Sequence, residues 1–138
     1  MKPRRYAPAV KIYNKEQNWR AMADVTAALI KLDPSGYPAA YVFNAMSQFR
    51  LGNLAVAEAS AREAIRLDRG HVYPEAEYTL GVTLAKRGDY KGAAEHLRKY
   101  LQMAPNSPNA ETVRKQLARA EELAAAKPAP EQVAPRSP

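Results

Sequence analysis

Cysteine is absent from the chain. Disulfides, thiolate metal sites and cysteine nucleophiles are thereby excluded, and the redox compartment is left open. Histidine is scarce as well: His71 and His96 are the only two, separated by most of a repeat length and without metal-ligand spacing. Aromatic residues are few, at 8% of the chain. No apolar run approaches the roughly 20 residues of a membrane-spanning helix, and Met1-Lys2-Pro3-Arg4-Arg5 is followed by no apolar signal core. Membrane insertion and export are therefore not expected. On that reading the chain is cytoplasmic if full length, and periplasmic or secreted if it is part of a longer exported protein. Blocks of one charge are also missing: the formal charge is +7, but Lys and Arg run from Lys2 to Arg136 with acids interleaved. A solvated basic surface accounts for that pattern better than an anionic partner does.

What is present favours helix. Alanine, leucine, arginine, lysine and glutamate lose little side-chain freedom in a helix, and 138 residues suffice for one domain with a hydrophobic core. Comparing the chain with itself uncovers a repeat. A shift of 36 residues lays Tyr37-Pro38 on Tyr73-Pro74, Gly52 on Gly88, Ala57 on Ala93 and Leu67 on Met103. A shift of 35 lays Ile30-Lys31-Leu32-Asp33 on Ile65-Arg66-Leu67-Asp68, Asn18 on Asn53 and Trp19 on Leu54.

Each unit reads as two helices. Pro38 and Pro74 suit a first helical turn, where the missing N–H would have had no partner. Leu51-Gly52-Asn53 and Arg87-Gly88-Asp89 punctuate the pairs, glycine taking the left-handed backbone at a helix end. Helices are expected near 8–16, 19–31, 38–50, 54–67, 74–87 and 90–103, with a seventh from Pro108 to about Ala125. Val113, Leu117, Ala120 and Ala124 share one stripe of that last helix, which reads as a cap on the third pair, a dimerisation surface being the alternative. Residues 1–7 are expected to be a flexible segment, and the proline- and alanine-rich 126–138 a disordered tail.

The third unit, Glu77-x-x-Leu80-Gly81-x-x-Leu84, Gly88-Asp89-Tyr90, Ala93-x-x-x-Leu97 and Pro105, resembles a tetratricopeptide repeat. The second keeps Tyr41, Asn44, Ala45, Gln48, Gly52, Ala57 and Ala61, with Arg69 where the family has proline; the first keeps Tyr6, Tyr13 and Pro34. The resemblance implies an all-α, right-handed α-solenoid of three helix pairs, about 3–36, 38–71 and 74–107, plus a capping helix over 108–125. Small residues belong where the two helices of a pair cross, because the interaxial distance depends on the side chains there. Gly81 with Ala93 and Ala45 with Ala57 satisfy this; Val10 and Met22 do not, and predict a looser first pair or one leaning on something outside the chain. The stretch from Tyr78 through Leu123 is also similar to the C-terminal repeats of certain bacterial tetratricopeptide proteins, some of which carry an N-terminal β-sandwich. That similarity implies a chain taken from the end of a longer architecture.

In this family the first helix of each pair lines a concave groove. Beside a core stripe of Tyr41, Asn44, Ala45 and Gln48, the helix from Pro38 has a second apolar stripe of Ala39, Val42, Met46 and Phe49. A helix apolar on two sides either buries both or offers one to a partner. The expected groove comprises Val42, Met46, Phe49, Tyr78 and Val82, rimmed by Lys11, Lys15, Arg50 and Lys86, although Val42 and Phe49 could equally pack under the adjacent pair. It would suit a protein or peptide segment with apolar anchors and acidic residues. Members gripping chaperone C-termini clamp a carboxylate with Lys, Asn and Arg; the matching positions here carry Ala7, Phe43, Glu75 and Thr79, with only Lys11 positive, which argues against that ligand.

No nucleophile elbow, phosphate loop or metal spacing is found, so no catalytic residue, cofactor, metal or small-molecule substrate is expected. His96, beside Glu95, reads as solvated or touching the cap, and His71 as a loop residue near Glu75. Two other readings stay open: a structural or oligomerising scaffold segment, and a basic helical repeat binding nucleic acid. The few aromatics among the basic residues weigh against the second.

Overall fold

The computed structural model describes residues 7–126, with side chains from residue 9. The segment expected to be flexible and the expected tail lie outside these residues, except that Ala7 opens the first helix and Ala126 closes the last. The described residues form α1 (Ala7–Glu16), α2 (Trp19–Leu32), α3 (Pro38–Arg50), α4 (Leu54–Leu67), α5 (Pro74–Lys86), α6 (Tyr90–Met103) and α7 (Ala110–Ala126), with no strand among them. Each of the first six pairs with its neighbour in sequence, and α3 also meets α5, so the pairs stack as an α-solenoid that α7 closes against α6.

Local chemistry explains the boundaries. Pro38 and Pro74 open α3 and α5. Gly52 and Gly88 take φ of 83° and 88°, and Gln17 takes 55° in the equivalent turn of the first pair. A left-handed backbone is cheap for glycine and costs about 1 kcal/mol or more for a residue with a Cβ. Asn18 and Asp89 then cap α2 and α6 by accepting from the Ala21 and Gly92 N–H groups at 3.1 and 2.9 Å. Asn53 instead donates to Gln48 Oε1 at 2.8 Å, tying the turn to α3.

The seventh helix differs from expectation by starting at Ala110 rather than Pro108. Asn109 is the reason: its Oδ1 accepts from Tyr100 Oη at 2.6 Å and Ser107 Oγ at 2.8 Å, so residues 107–109 are pinned to α6 as a turn. The cap stripe otherwise lies as expected, with Val113 and Ala120 buried and Leu117 and Ala124 half-buried.

The crossings grade along the chain. In the third pair, a Cβ on Gly81 would lie 2.8 Å from Leu97 Cδ2 and 3.3 Å from the Ala93 carbonyl oxygen, so only glycine permits the observed approach. Ala45 and Ala57 are fully buried at the second crossing. At the first, Val10 and Met22 are buried too, but α1 makes its main contacts with α2 alone and leaves Ile12 52% exposed. Between the first and second pairs sits a polar knot: Asn44 donates to Thr26 Oγ1 at 3.0 Å and to the Ala23 carbonyl at 3.4 Å, and accepts from Ser60 Oγ at 2.7 Å. Being satisfied on both sides of its amide, Asn44 joins α2, α3 and α4 without the penalty of a bare buried polar group. Where the second and third pairs meet, Asp68 spans the missing proline at Arg69, its two oxygens accepting from Val72 and Tyr73 N–H at 3.0 and 2.9 Å.

Candidate partner-binding groove

Stacking brings α3 and α5 side by side, and their outward stripes form the floor of a concave cavity of about 660 Å³. Met46 and Phe49 come from α3, Tyr78, Val82 and Ala85 from α5, and Tyr100 from α6. Trp19 at the start of α2 closes one side, and Asn109, Gln116 and Arg119 close the other. The volume is that of an ordinary ligand cleft. Its aromatic residues are half-buried rather than sealed, except Tyr100, which is 6% exposed.

The walls are held by specific contacts. The Tyr78 and Tyr100 rings are tilted at 55° with centroids 5.4 Å apart, a favourable aromatic geometry. Gln116 donates from Nε2 to Tyr78 Oη at 3.2 Å, fastening the cap to the groove floor. Its Oε1 is buried and without a partner among the described residues. Arg50 lies over the Trp19 ring, 5.4 Å from its centroid. The charged lining is Arg50, Glu75, Lys86 and Arg119, and Arg119 also reaches Glu122 at 3.2 Å.

Of the residues singled out by sequence, Met46, Phe49, Arg50, Tyr78, Val82 and Lys86 line this cavity together. Val42 does not, which corrects its assignment to the groove. It is 2% exposed and packs with Ala64 and Ala76, because small residues on α4 and α5 let the next pair close over it. Lys11 and Lys15 are also outside the lining, exposed on α1, whose main neighbour is α2 rather than α3. Trp19, Tyr100, Asn109, Gln116 and Arg119 escaped sequence reasoning. They come from second helices, from the cap and from the turn before it, and a stripe read on one first helix carries no signal for them.

His96 also departs from expectation. Its Nδ1 is 2.6 Å from Glu77 Oε2, with the two side chains 13% and 9% exposed, so it pairs with α5 instead of meeting solvent or the cap. His71 is an exposed loop residue with φ of 51°. Away from the groove, burial pushes the Tyr41 hydroxyl's pKa up, and its proton is donated to the Pro34 carbonyl at 2.7 Å. The hydrogen bond from Arg66 holds the Glu63 carboxyl below its ordinary range. Among the described residues no cluster of acidic and histidine side chains could hold a metal, and no helix is long and apolar enough to cross a membrane.

Paired helices stacked around an apolar concave face define a helical-repeat scaffold. Residues 44–108 match the family model of the tetratricopeptide repeat. Solved structures with the same arrangement include the first tetratricopeptide domain of Spaghetti (RPAP3) bound to the HSP90 peptide SRMEEVD, with a TM-score of 0.77, 22% identity, and 90% of this chain and 94% of that one covered. The Arabidopsis OM64 tetratricopeptide domain gives 0.75 at 20% identity, covering 85% and 94%. The TPR2B domain of yeast Sti1, in its pHsp70 complex, gives 0.75 at 18%, covering 87% and 96%. No curated protein sequence matches. Residues 44–108 are tetratricopeptide repeat, and the described helices as a whole share the fold of those solved domains. At these identities the likeness establishes the fold and carries no ligand with it.

Proposed function

We propose that the chain is a non-catalytic recognition module whose concave groove holds a peptide or helical segment of another protein. One observation carries this: Met46, Phe49, Tyr78 and Val82 converge with Trp19 on an open cavity that the described residues leave unfilled. Side chains that would gain from burial are held on a rigid frame, so a partner would meet little ordering cost in this surface. The domains of Spaghetti and of yeast Sti1 were solved with chaperone segments, which makes peptide recognition a use to which this fold is put. The ligand differs in kind, however. Glu75 and Thr79 line the cavity where members of the family that grip chaperone tails place groups for a carboxylate, and Glu75 repels one.

The test is affinity capture from lysate of the source organism, with nuclease present and at two salt concentrations. A Met46→Glu variant serves as the groove control, and its melting curve verifies that it folds. Capture of a protein by the parent and its loss in the variant is the expected result. Equal retention by parent and variant would place recognition elsewhere, and loss on nuclease treatment would turn the reading toward nucleic acid.

A further inference from the structure

The charges in the groove are ordered, not scattered. Glu75 stands in the first turn of α5 and Lys86 in the last, about 16 Å apart along the helix at 1.5 Å per residue. Arg50 ends α3 in the same way and lines the same cavity, and Lys15 stands in the last turn of α1, which itself ends on Glu16. Along the α3 and α5 walls one end of the groove is therefore positive and the other negative, while Arg119 on the cap is paired with Glu122. Part of this pattern complements the helix dipoles, but dipoles alone do not explain how Arg50 is held. Neighbouring Arg62, Arg66 and Arg87 each meet a glutamate. Among the described residues neither Arg50 nor Lys86 has an acidic partner, and Arg50 rests on Trp19 instead. A guanidinium held by an aromatic face keeps its edge N–H donors available for a carboxylate.

Resting on the groove reading above, we infer that the ligand is an internal protein segment with acidic side chains at one end only. Its acids meet Arg50 and Lys86, its apolar side chains cover Met46, Phe49 and Val82, and the end facing Glu75 is neutral or basic. Side-chain acids fit better than a chain terminus for a geometric reason. The two cations sit on separate helices, whose axes in packed pairs lie about 8–10 Å apart. Two acids two residues apart in an extended chain share one face about 7 Å from each other, within reach of both long, flexible cationic side chains. One terminal carboxylate would meet a single cation well and leave the other unused.

The test selects from a library of random peptides of about 12 residues displayed with both ends tethered, using the whole chain as bait. Selected peptides are synthesised with amidated C-termini and titrated while the emission of Trp19, the only tryptophan, is followed. The expected pool carries acids at one end beside apolar residues. Arg50→Ala with Lys86→Ala should weaken such a peptide about tenfold or more, and added salt should weaken it too. Glu75→Lys should let acids appear at the second end. Both cations are exposed at helix ends, so these variants should keep the parent's melting curve. A pool of neutral peptides, lost with Met46→Glu but indifferent to the two cations, would sink this inference and leave the groove reading standing. Selection only when a free C-terminus is displayed would also sink it. A library yielding nothing that depends on Met46 would remove both.

Discussion

The first and third helix pairs answer the same architectural demand with different residues. In the third, Gly81 and Ala93 let the axes approach until a single added methyl would strike Leu97, and Gly88 takes the left-handed turn at no steric cost. In the first, Val10 and Met22 fill the crossing, and Gln17 is forced into the same left-handed turn. Helix α1 leaves Ile12 52% exposed. The difference is one of neighbours. The third pair is clamped between the second pair and α7, so its spacing is dictated from both sides. Among the described residues the first has a neighbouring pair on one side only, and can widen to admit larger side chains. Most of the groove lining accordingly comes from α5 and the elements packed around it.

Substitutions can break or sharpen this contrast. Gly81→Val should cost about 3 kcal/mol, because the clash is with a buried side chain and a backbone carbonyl that neighbours hold in place. Val10→Ala should cost about 1 kcal/mol at an edge that can collapse. Equal losses in denaturant titrations of the two would show that the first pair is as constrained as the third. Asn44→Ala, between the first and second pairs, should cost about 2 kcal/mol by stripping partners from Thr26 and Ser60. Thermal melts would measure it, and a neutral result would mean the polar knot is replaceable by water. Gln17→Gly should stabilise by about 0.5–1 kcal/mol, relieving the turn that Gly52 and Gly88 already make without strain. A loss instead would mean that the glutamine side chain has an offsetting contact.

The smallest expected effect concerns Glu63. Its carboxyl pKa is held below the ordinary value by Arg66, so the pair contributes above the usual glutamate range and fades as pH falls through the lowered value. Both partners are substantially solvated, and screening keeps the contribution small. Glu63→Gln should therefore match the parent in acid and fall slightly below it near neutrality. A gap that widens on acidification would reverse the sign and refute the assignment.

Much of this molecule could be read along the chain. The first six helices begin and end within one residue of expectation, because prolines, glycines and capping residues act locally. The graded crossing from Val10 and Met22 to Gly81 and Ala93 was visible as a size pattern at fixed spacing. The start of α7 was not, since Pro108 is locally a good first helical residue and the hydroxyl of Tyr100, on another helix, joins Ser107 in holding Asn109 in the preceding turn. Val42 and Met46 look alike on a helical wheel, one turn apart. Their fates separate because Ala64 and Ala76 close over the first and leave the second facing the cavity.

Periodicity, punctuation and the size of crossing residues are properties of short stretches, so the sequence alone specifies seven helices, their pairing and the family of the fold. Which apolar side chains stay open, which cations go unpaired and where Trp19, Tyr100 and Gln116 meet are decided by distances between helices far apart in the chain. Burial and charge pairing are set by all neighbours at once, and those neighbours exist only after the pairs have stacked.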